Sequence, residues 1–340
     1  MLQLKPIRHQ VIVITGATSG IGLATAKLAA ERGAKLVLVA RNETALKTIA
    51  EELSGKGAQA RWVVADVADE AELRRAAQVA KEEFGGLDTW INNAGISIFG
   101  YNERIALEDH RRLFETNFWG VVNGSLIAAE YLRQSGGAII NLGSEVSDAS
   151  VPLQGMYAAS KHAVKAFTDS LRMELEHDGA PVSVTLIKPA AIATPFVEHA
   201  KNYMEVEAKL PPPLYAPELV AKAILSAAQT PQRDIFVGGA AKLTSLGARF
   251  APRLFDKISE RIFFRQQRSD RPEQHADRNS LYQPDTDLRV RGNHDASVKE
   301  SCLYTQAILN KKKTYAIVGG ALAATAAVWL SRSQMKRSLL

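Results

Sequence analysis

The chain is predicted to be an α/β protein, a doubly wound parallel sheet of seven strands followed by a helical extension. Three observations carry that expectation. Short β-branched runs alternate with longer helical patterns from Val11 to about Val237, as βαβ units do. The segments between the runs repeat their apolar residues at helical spacing, as in IGLATAKLAAERG, where Gly33 closes the helix. Parallel strands joined in this way need right-handed crossovers, which place helices on both faces of the sheet.

Taken in order, the strands are VIVIT (11–15), KLVLVA (35–40), ARWVVAD (60–66), TWINNA (89–94), AIINLGS (138–144), VSVTLIKP (182–189) and DIFVGG (234–239). The extension LTSLGARFAPRLFDKISERIFF (243–264) is amphipathic, with Phe250, Leu254, Phe255, Ile258, Ile262 and Phe263 as its apolar residues. It has three readings: a cover for the substrate pocket, a membrane-surface segment, or a helix packed on the main domain. After Phe264 the chain turns polar and aperiodic, which predicts a flexible linker over 265–310. Lys311, Lys312 and Lys313 then precede an uncharged run at 314–331, with Arg332, Lys336 and Arg337 beyond it. That run is slightly short of the roughly 20 apolar residues that span a bilayer. It is expected to be a transmembrane or membrane-surface helix over 311–340, with docking on a partner as the alternative. The expected division is therefore 8–264, 265–310 and 311–340.

Composition excludes other classes. With 46% hydrophobic and 23% charged residues the chain of 340 residues can bury a sizeable core. The net charge of +6 is unevenly spread, because 17 Lys and Arg stand against 9 Asp and Glu from Arg249 onward, and 25 against 27 before it. A near-neutral main domain gives no basis for nucleic-acid binding. Cys302 is the only cysteine, so no intrachain disulfide forms, and a reducing compartment is expected. The N-terminus has no apolar stretch long enough for a secretory signal. The seven histidines lack metal-ligand spacing, so no metal site is expected. No G-x-S-x-G elbow of a serine hydrolase is present.

The chemistry lies in a set of motifs. The first strand empties into TGATSGIG (15–22), so Gly16, Gly20 and Gly22 stand where a strand turns into a helix, with Thr18, Ser19 and Ile21 between them. Glycines permit the tight turn, and the unpaired amides at the helix start can bind a pyrophosphate. In YAASK (157–161), Tyr157 and Lys161 are four apart, which puts both on one helix face. Tyrosine is a poor acid–base group near neutrality unless a cation favours its phenolate, and Lys161 can supply that charge. NNAG (92–95), Asn117 in TNFWG and Ser144 at a strand end complete the set.

In order and spacing these motifs resemble the short-chain dehydrogenase/reductase family over roughly residues 8–240, and the resemblance implies a Rossmann fold. It makes Tyr157 the general acid or base toward the carbonyl or alcohol oxygen, Ser144 a hydrogen-bonding partner of the same oxygen, and Lys161 the group that lowers the Tyr157 pKa and holds the nicotinamide ribose. Asn117 would anchor a water that connects Lys161 to solvent. Asp66 is the implied adenine contact, Asn93 and Gly95 line the adenosine and ribose side, and Pro189, Ile192 and Thr194 form the nicotinamide turn. Ala190 departs from the glycine common after that proline, which puts the backbone of the turn in question. Ala40 followed by Arg41 at the end of the second strand leaves no carboxylate to repel a 2′-phosphate, so NADP(H) is favoured and NAD(H) remains possible.

The expected activity is NADPH-dependent reduction of a hydrophobic ketone or aldehyde, or the reverse oxidation, under a lid from Pro195 to Pro217 that includes Phe196, Val197, Tyr203 and Met204. The expected location is a membrane through the C-terminal segment, with the catalytic domain cytoplasmic, and a homo-oligomer is possible. The alternative is a catalytically silent NADP(H)-binding redox sensor or membrane scaffold.

Overall fold

All seven strands are present in the computed structural model, which describes residues 2–274, 277–310 and 314. They are β1 (Val11–Thr15), β2 (Lys35–Ala40), β3 (Gln59–Val64), β4 (Thr89–Asn92), β5 (Gly137–Leu142), β6 (Val182–Pro189) and β7 (Asp234–Val237). They form one parallel sheet in the order β3-β2-β1-β4-β5-β6-β7. Chain direction across the sheet reverses between β1 and β4, and ligands of such sheets bind in the crevice at that switch point.

Residues alternate between two cores because the side-chain period of a strand is two. Ile12, Ile14, Leu36 and Leu38 face one side with Leu23, Val220 and Ile224. Val11, Val13, Val37 and Val39 face the other with Leu73, Ile127 and Leu132. The first layer is supplied by α1 (Gly20–Glu31), α2 (Glu43–Gly55) and α7 (Pro217–Ala227). The second comes from α3 (Glu70–Phe84), α5 (Gly120–Ser135) and α6 (Gly155–His177). Helix starts follow capping chemistry, with the Asn42 side chain accepting from Ala45 N at 3.0 Å and Asp69 from Glu72 N at 3.0 Å. Before α5, α4 (Leu107–Phe114) runs into a π-turn at Glu115–Trp119 that contains Asn117.

The extension forms α8 (Gly239–Phe250) and α9 (Pro252–Ile258). Beyond it the structure differs from the expected linker. Residues 268–272 pair antiparallel with 206–208, and 298–299 pair with 214–215. Leu281 is 1% exposed and packs with Ile96, Ile98, Ile105 and Leu113. The composition looked unstructured because this segment is held mostly by its backbone and by ion pairs, such as Arg289 with Glu198 at 2.7 Å, rather than by an apolar stripe. No helix among the described residues is long and apolar enough to cross a membrane. The run expected to be an anchor, 314–331, lies outside the described residues except for Thr314.

Candidate active site

One cavity at the switch point gathers most of the residues singled out from the sequence. It is lined by Gly16, Thr18, Ser19, Gly20 and Ile21 of the glycine turn, by Arg41, Asp66, Asn93 and Gly95, by Ser144, Tyr157 and Lys161, and by Pro189, Ile192 and Thr194. Gly22 and Asn117 support it from behind. A Cβ on Gly22 would lie 2.0 Å from the Gly16 carbonyl oxygen, and one on Gly16 would lie 2.8 Å from Ala94 Cα. Gly16 also has φ +65°, a left-handed backbone that favours glycine. The cradle therefore has the shape that a pyrophosphate at a helix start needs. Ser19 precedes α1 without a side-chain cap bond, and its hydroxyl is not spent on the helix.

Asn93 lines the cavity and also braces its backbone. Its carboxamide donates to Thr15 O at 3.0 Å and Gly16 O at 3.1 Å, bracing the turn between β1 and α1. Asp66 is paired with Arg112 and accepts from Ala68 N at 3.0 Å. At the nicotinamide turn, Ala190 N donates to Val237 O at 2.9 Å. Leu153 is the one non-glycine with positive φ among the described residues, so Ala190 is accommodated without left-handed backbone.

Ser144, Tyr157, Lys161 and Asn117 converge from three elements. Ser144 follows β5, Tyr157 and Lys161 stand in the first turns of α6, and Asn117 sits in the π-turn, a backbone irregularity common at functional sites. The Ser144 hydroxyl lies close enough to the Tyr157 phenol to favour its phenolate. Lys161 Nζ lies 5.8 Å from the Tyr157 ring centre and donates to Leu142 O at 2.8 Å. Asn117 is fully buried; it accepts from Ile96 N and donates to Ile96 O, both at 2.9 Å, and reaches Ser160 Oγ at 3.2 Å. A Cβ on Gly95 would lie 3.4 Å from Asn117 Oδ1 and 3.7 Å from Lys161 Nζ, so this glycine keeps the space between them open.

Burial dominates the electrostatics. It lowers the Lys161 pKa to about 8. It also raises the Tyr157 phenol well above its ordinary value; the Ser144 hydrogen bond opposes that rise and the Glu145 charge reinforces it. In the chain by itself, desolvation of the phenolate sets the direction of the Tyr157 shift.

Three parts of the site were missed by sequence reasoning. Glu145 lines the cavity beside Ser144, and burial pushes its carboxyl up to about 7 against a hydrogen bond from Thr244; its place directly after the strand-end serine was the available signal. His199, from the expected lid, brings Nε2 to 3.0 Å from an Asp285 oxygen and 3.5 Å from an Asp287 oxygen. These three groups converge although the histidines show no ligand spacing in sequence, and Asp287 is already chelated by Arg289. The third part is a strap, residues 280–292, across the cleft. Arg41 donates to Ser280 O at 2.6 Å and to Tyr282 O and Gln283 O at 3.3 Å, while Gly20 N donates to Arg289 O at 3.0 Å. No sequence pattern announces such main-chain contacts. The expected lid does reach the site: Phe196 stacks at 5.4 Å from Tyr157, and Leu210 and Pro211 line the cavity.

Comparison with known proteins agrees with this geometry. The short chain dehydrogenase family model matches residues 10–204. The chain is 45% identical over 330 residues to the uncharacterized oxidoreductase YxnA of Bacillus subtilis, covering 96% of this chain and 92% of that protein. It is 38% identical over 190 residues to 11-beta-hydroxysteroid dehydrogenase A of Sesamum indicum, about half of each chain. A short chain dehydrogenase from Burkholderia cenocepacia in complex with NADP superposes with TM-score 0.64 at 26% identity, covering 75% of this chain and 99% of that one. An alcohol dehydrogenase from Thermococcus sibiricus complexed with 5-hydroxy-NADP gives TM-score 0.59, also at 26% identity, over 67% and 95%. The chain belongs to the short-chain dehydrogenase/reductase family and is an NAD(P)-dependent oxidoreductase acting on CH–OH groups.

Proposed function

We propose that the protein reduces a hydrophobic ketone or aldehyde with NADPH, with Tyr157 as the proton donor. The observation that carries this reading is the meeting of Ser144, Tyr157 and Lys161 on the wall of the cavity that the glycine turn closes. The Ser144 hydroxyl holds the carbonyl oxygen beside Tyr157 Oη. Burial keeps the phenol protonated through the neutral range, the state from which it gives its proton to the oxygen in reduction; in the reverse oxidation the same group takes the proton back. Lys161 holds the nicotinamide ribose hydroxyls and places positive charge near Tyr157 as the phenolate forms. Asn117 keeps the backbone of the π-turn in register behind Lys161, next to the water path that returns a proton. When bound, the nicotinamide supplies the hydride.

The substrate side is apolar, with Val146, Val151, Phe196, Leu210 and Phe263 on its walls and Glu145 as a polar point. Both solved neighbours named above were crystallised with NADP-type cofactors, which supports NADP(H) here, although NAD(H) also fits the fold. Burial pulls the Arg41 pKa below its ordinary value, with the Asp66 charge opposing that fall and Arg112 adding to it; its hydrogen bonds go to strap carbonyls, and a 2′-phosphate outcompetes a neutral acceptor for a guanidinium. Membrane attachment through the 314–331 run, with the catalytic domain on the cytoplasmic side, belongs to the same reading.

The test is initial-rate reduction of aryl and alicyclic ketones by the full-length protein. Arg41→Ala is expected to lower kcat/KM for NADPH by about tenfold or more, the worth of one charge-assisted contact, with a much smaller change for NADH. Equal losses with the two cofactors overturn the NADPH assignment.

A further inference from the structure

The extension turns its apolar side outward. Leu243, Leu246 and Phe250 on α8, Leu254 and Ile258 on α9, and Ile262 in the π-turn that continues α9 are all exposed; Leu243 reaches 71%, Phe250 74% and Leu254 59%. Their steps of three and four residues make one stripe along each helix. The side turned inward is mixed: Ala241 and Ser259 are buried, Ser245 Oγ donates to Asp148 at 2.8 Å, and Thr244 lines the active-site cavity together with Phe263. A helix on the surface of a self-contained domain keeps its large apolar residues on the inner side. Other exposed large apolar residues, such as Val64, Leu107 and Met173, are scattered over separate elements. An apolar patch of this kind marks a partner or a membrane.

Charge selects the occupant. Arg249, Arg253, Lys257, Arg261 and Arg265 are exposed along the same stretch, with only Asp256 and Glu260 against them. Arg253 has Asp256 at 3.6 Å; no other ion pair engages these cations among the described residues. A second copy of the face would set like charges against each other, whereas an anionic surface is complementary. The same chain carries, some fifty residues further on, the uncharged run 314–331 bounded by Lys311–Lys313 and Arg332.

We propose that this face of α8 and α9 docks on an anionic lipid bilayer and seats the mouth of the catalytic cavity on the membrane. Leu243, Phe250, Leu254 and Ile258 enter the acyl boundary and the arginines meet lipid phosphates, as interfacial helices do. Thr244 and Phe263, on the inner side of the same stretch, line the cavity, so an apolar carbonyl dissolved in the bilayer has a short path to Tyr157. The apolar carbonyl substrate and the tethering by the tail rest on the preceding functional reading, and the test separates the docking from both.

The experiment labels Phe250→Cys, in a full-length chain carrying Cys302→Ser, with an environment-sensitive nitrobenzoxadiazole dye and adds phosphatidylcholine vesicles with or without phosphatidylglycerol. The expected result is a blue shift and a several-fold gain in emission on the anionic vesicles. The signal is quenched by acyl-chain nitroxides and weakened by salt, while a label at Met173→Cys does not respond. Flotation with vesicles and no response at position 250 overturns the docking face and leaves tail attachment standing. A blue shift that grows with protein concentration in the absence of vesicles overturns it in favour of a second copy. Val328→Asp, which spoils the uncharged run without touching α8 or α9, tests the tail separately; the label still responds, at a higher lipid concentration, if the face binds by itself.

Discussion

Lys161 shows how this site sets function against stability. Its ammonium is almost fully buried and no carboxylate pairs with it among the described residues; its one hydrogen bond goes to Leu142 O. Burial takes its pKa from 10.5 to about 8, so between those values the unfolded chain binds the proton and the folded chain does not. Stability therefore rises with pH across that window, and below about pH 8 the buried cation costs stability in full. Lys161→Met is expected to stabilise the protein by up to about 3 kcal/mol at pH 7, less whatever the lost hydrogen bond contributed, while removing turnover. Urea unfolding at pH 7 and pH 10 checks it, since the gain must shrink at the higher pH. A variant less stable than wild type at pH 7 would contradict this account. The meeting of Tyr157, Lys161 and Ser144 on one cavity wall was readable because their positions are fixed by one helix face and one strand end. The direction of the Tyr157 shift was not, because burial depends on what the fold packs around the phenol, including Glu145.

Among the elements, the seven strands were legible for a physical reason: helices cover both faces of the sheet, so runs such as VIVI at 11–14 are continuously apolar and end in glycine or polar turns. The strap over residues 280–292 was illegible because its ties to Arg41 and Gly20 use carbonyl groups that every residue has. Its buried residues are Ser280 and Leu281, and Leu281 is the apolar anchor. Leu281→Ala removes an anchor worth about 2–5 kcal/mol in a packed core, and Ser280, Pro284 and Asp285 line the cavity. The strap is then expected to open more often, raising the NADPH dissociation rate by about tenfold or more. Displacement of NADPH fluorescence in a stopped-flow instrument checks this, and an unchanged dissociation rate would show that the strap does not gate the cofactor.

On the scale of the whole molecule, the chain divides its labour by charge. Residues before Arg249 are near neutral and hold the nucleotide cleft, whereas the basic excess lies in the later segments. Part of that excess folds back onto the domain, as Arg289 does with Glu198 and Arg291 with Glu218 at 2.9 Å; part stays exposed on α8 and α9. Composition alone revealed the asymmetry but not this partition, which depends on where the strap and the extension come to rest. The central claim is that this assembly performs proton-coupled reduction through Tyr157. It is tested most directly by measuring NADPH binding and ketone turnover in full-length wild type and Tyr157→Phe. The account predicts NADPH affinity within about twofold of wild type and turnover lower by roughly 10²–10⁴, the usual contribution of a general acid. Near-normal turnover in Tyr157→Phe would contradict it, and tight NADPH binding by a wild-type protein that turns over no carbonyl would make the molecule a redox sensor or scaffold.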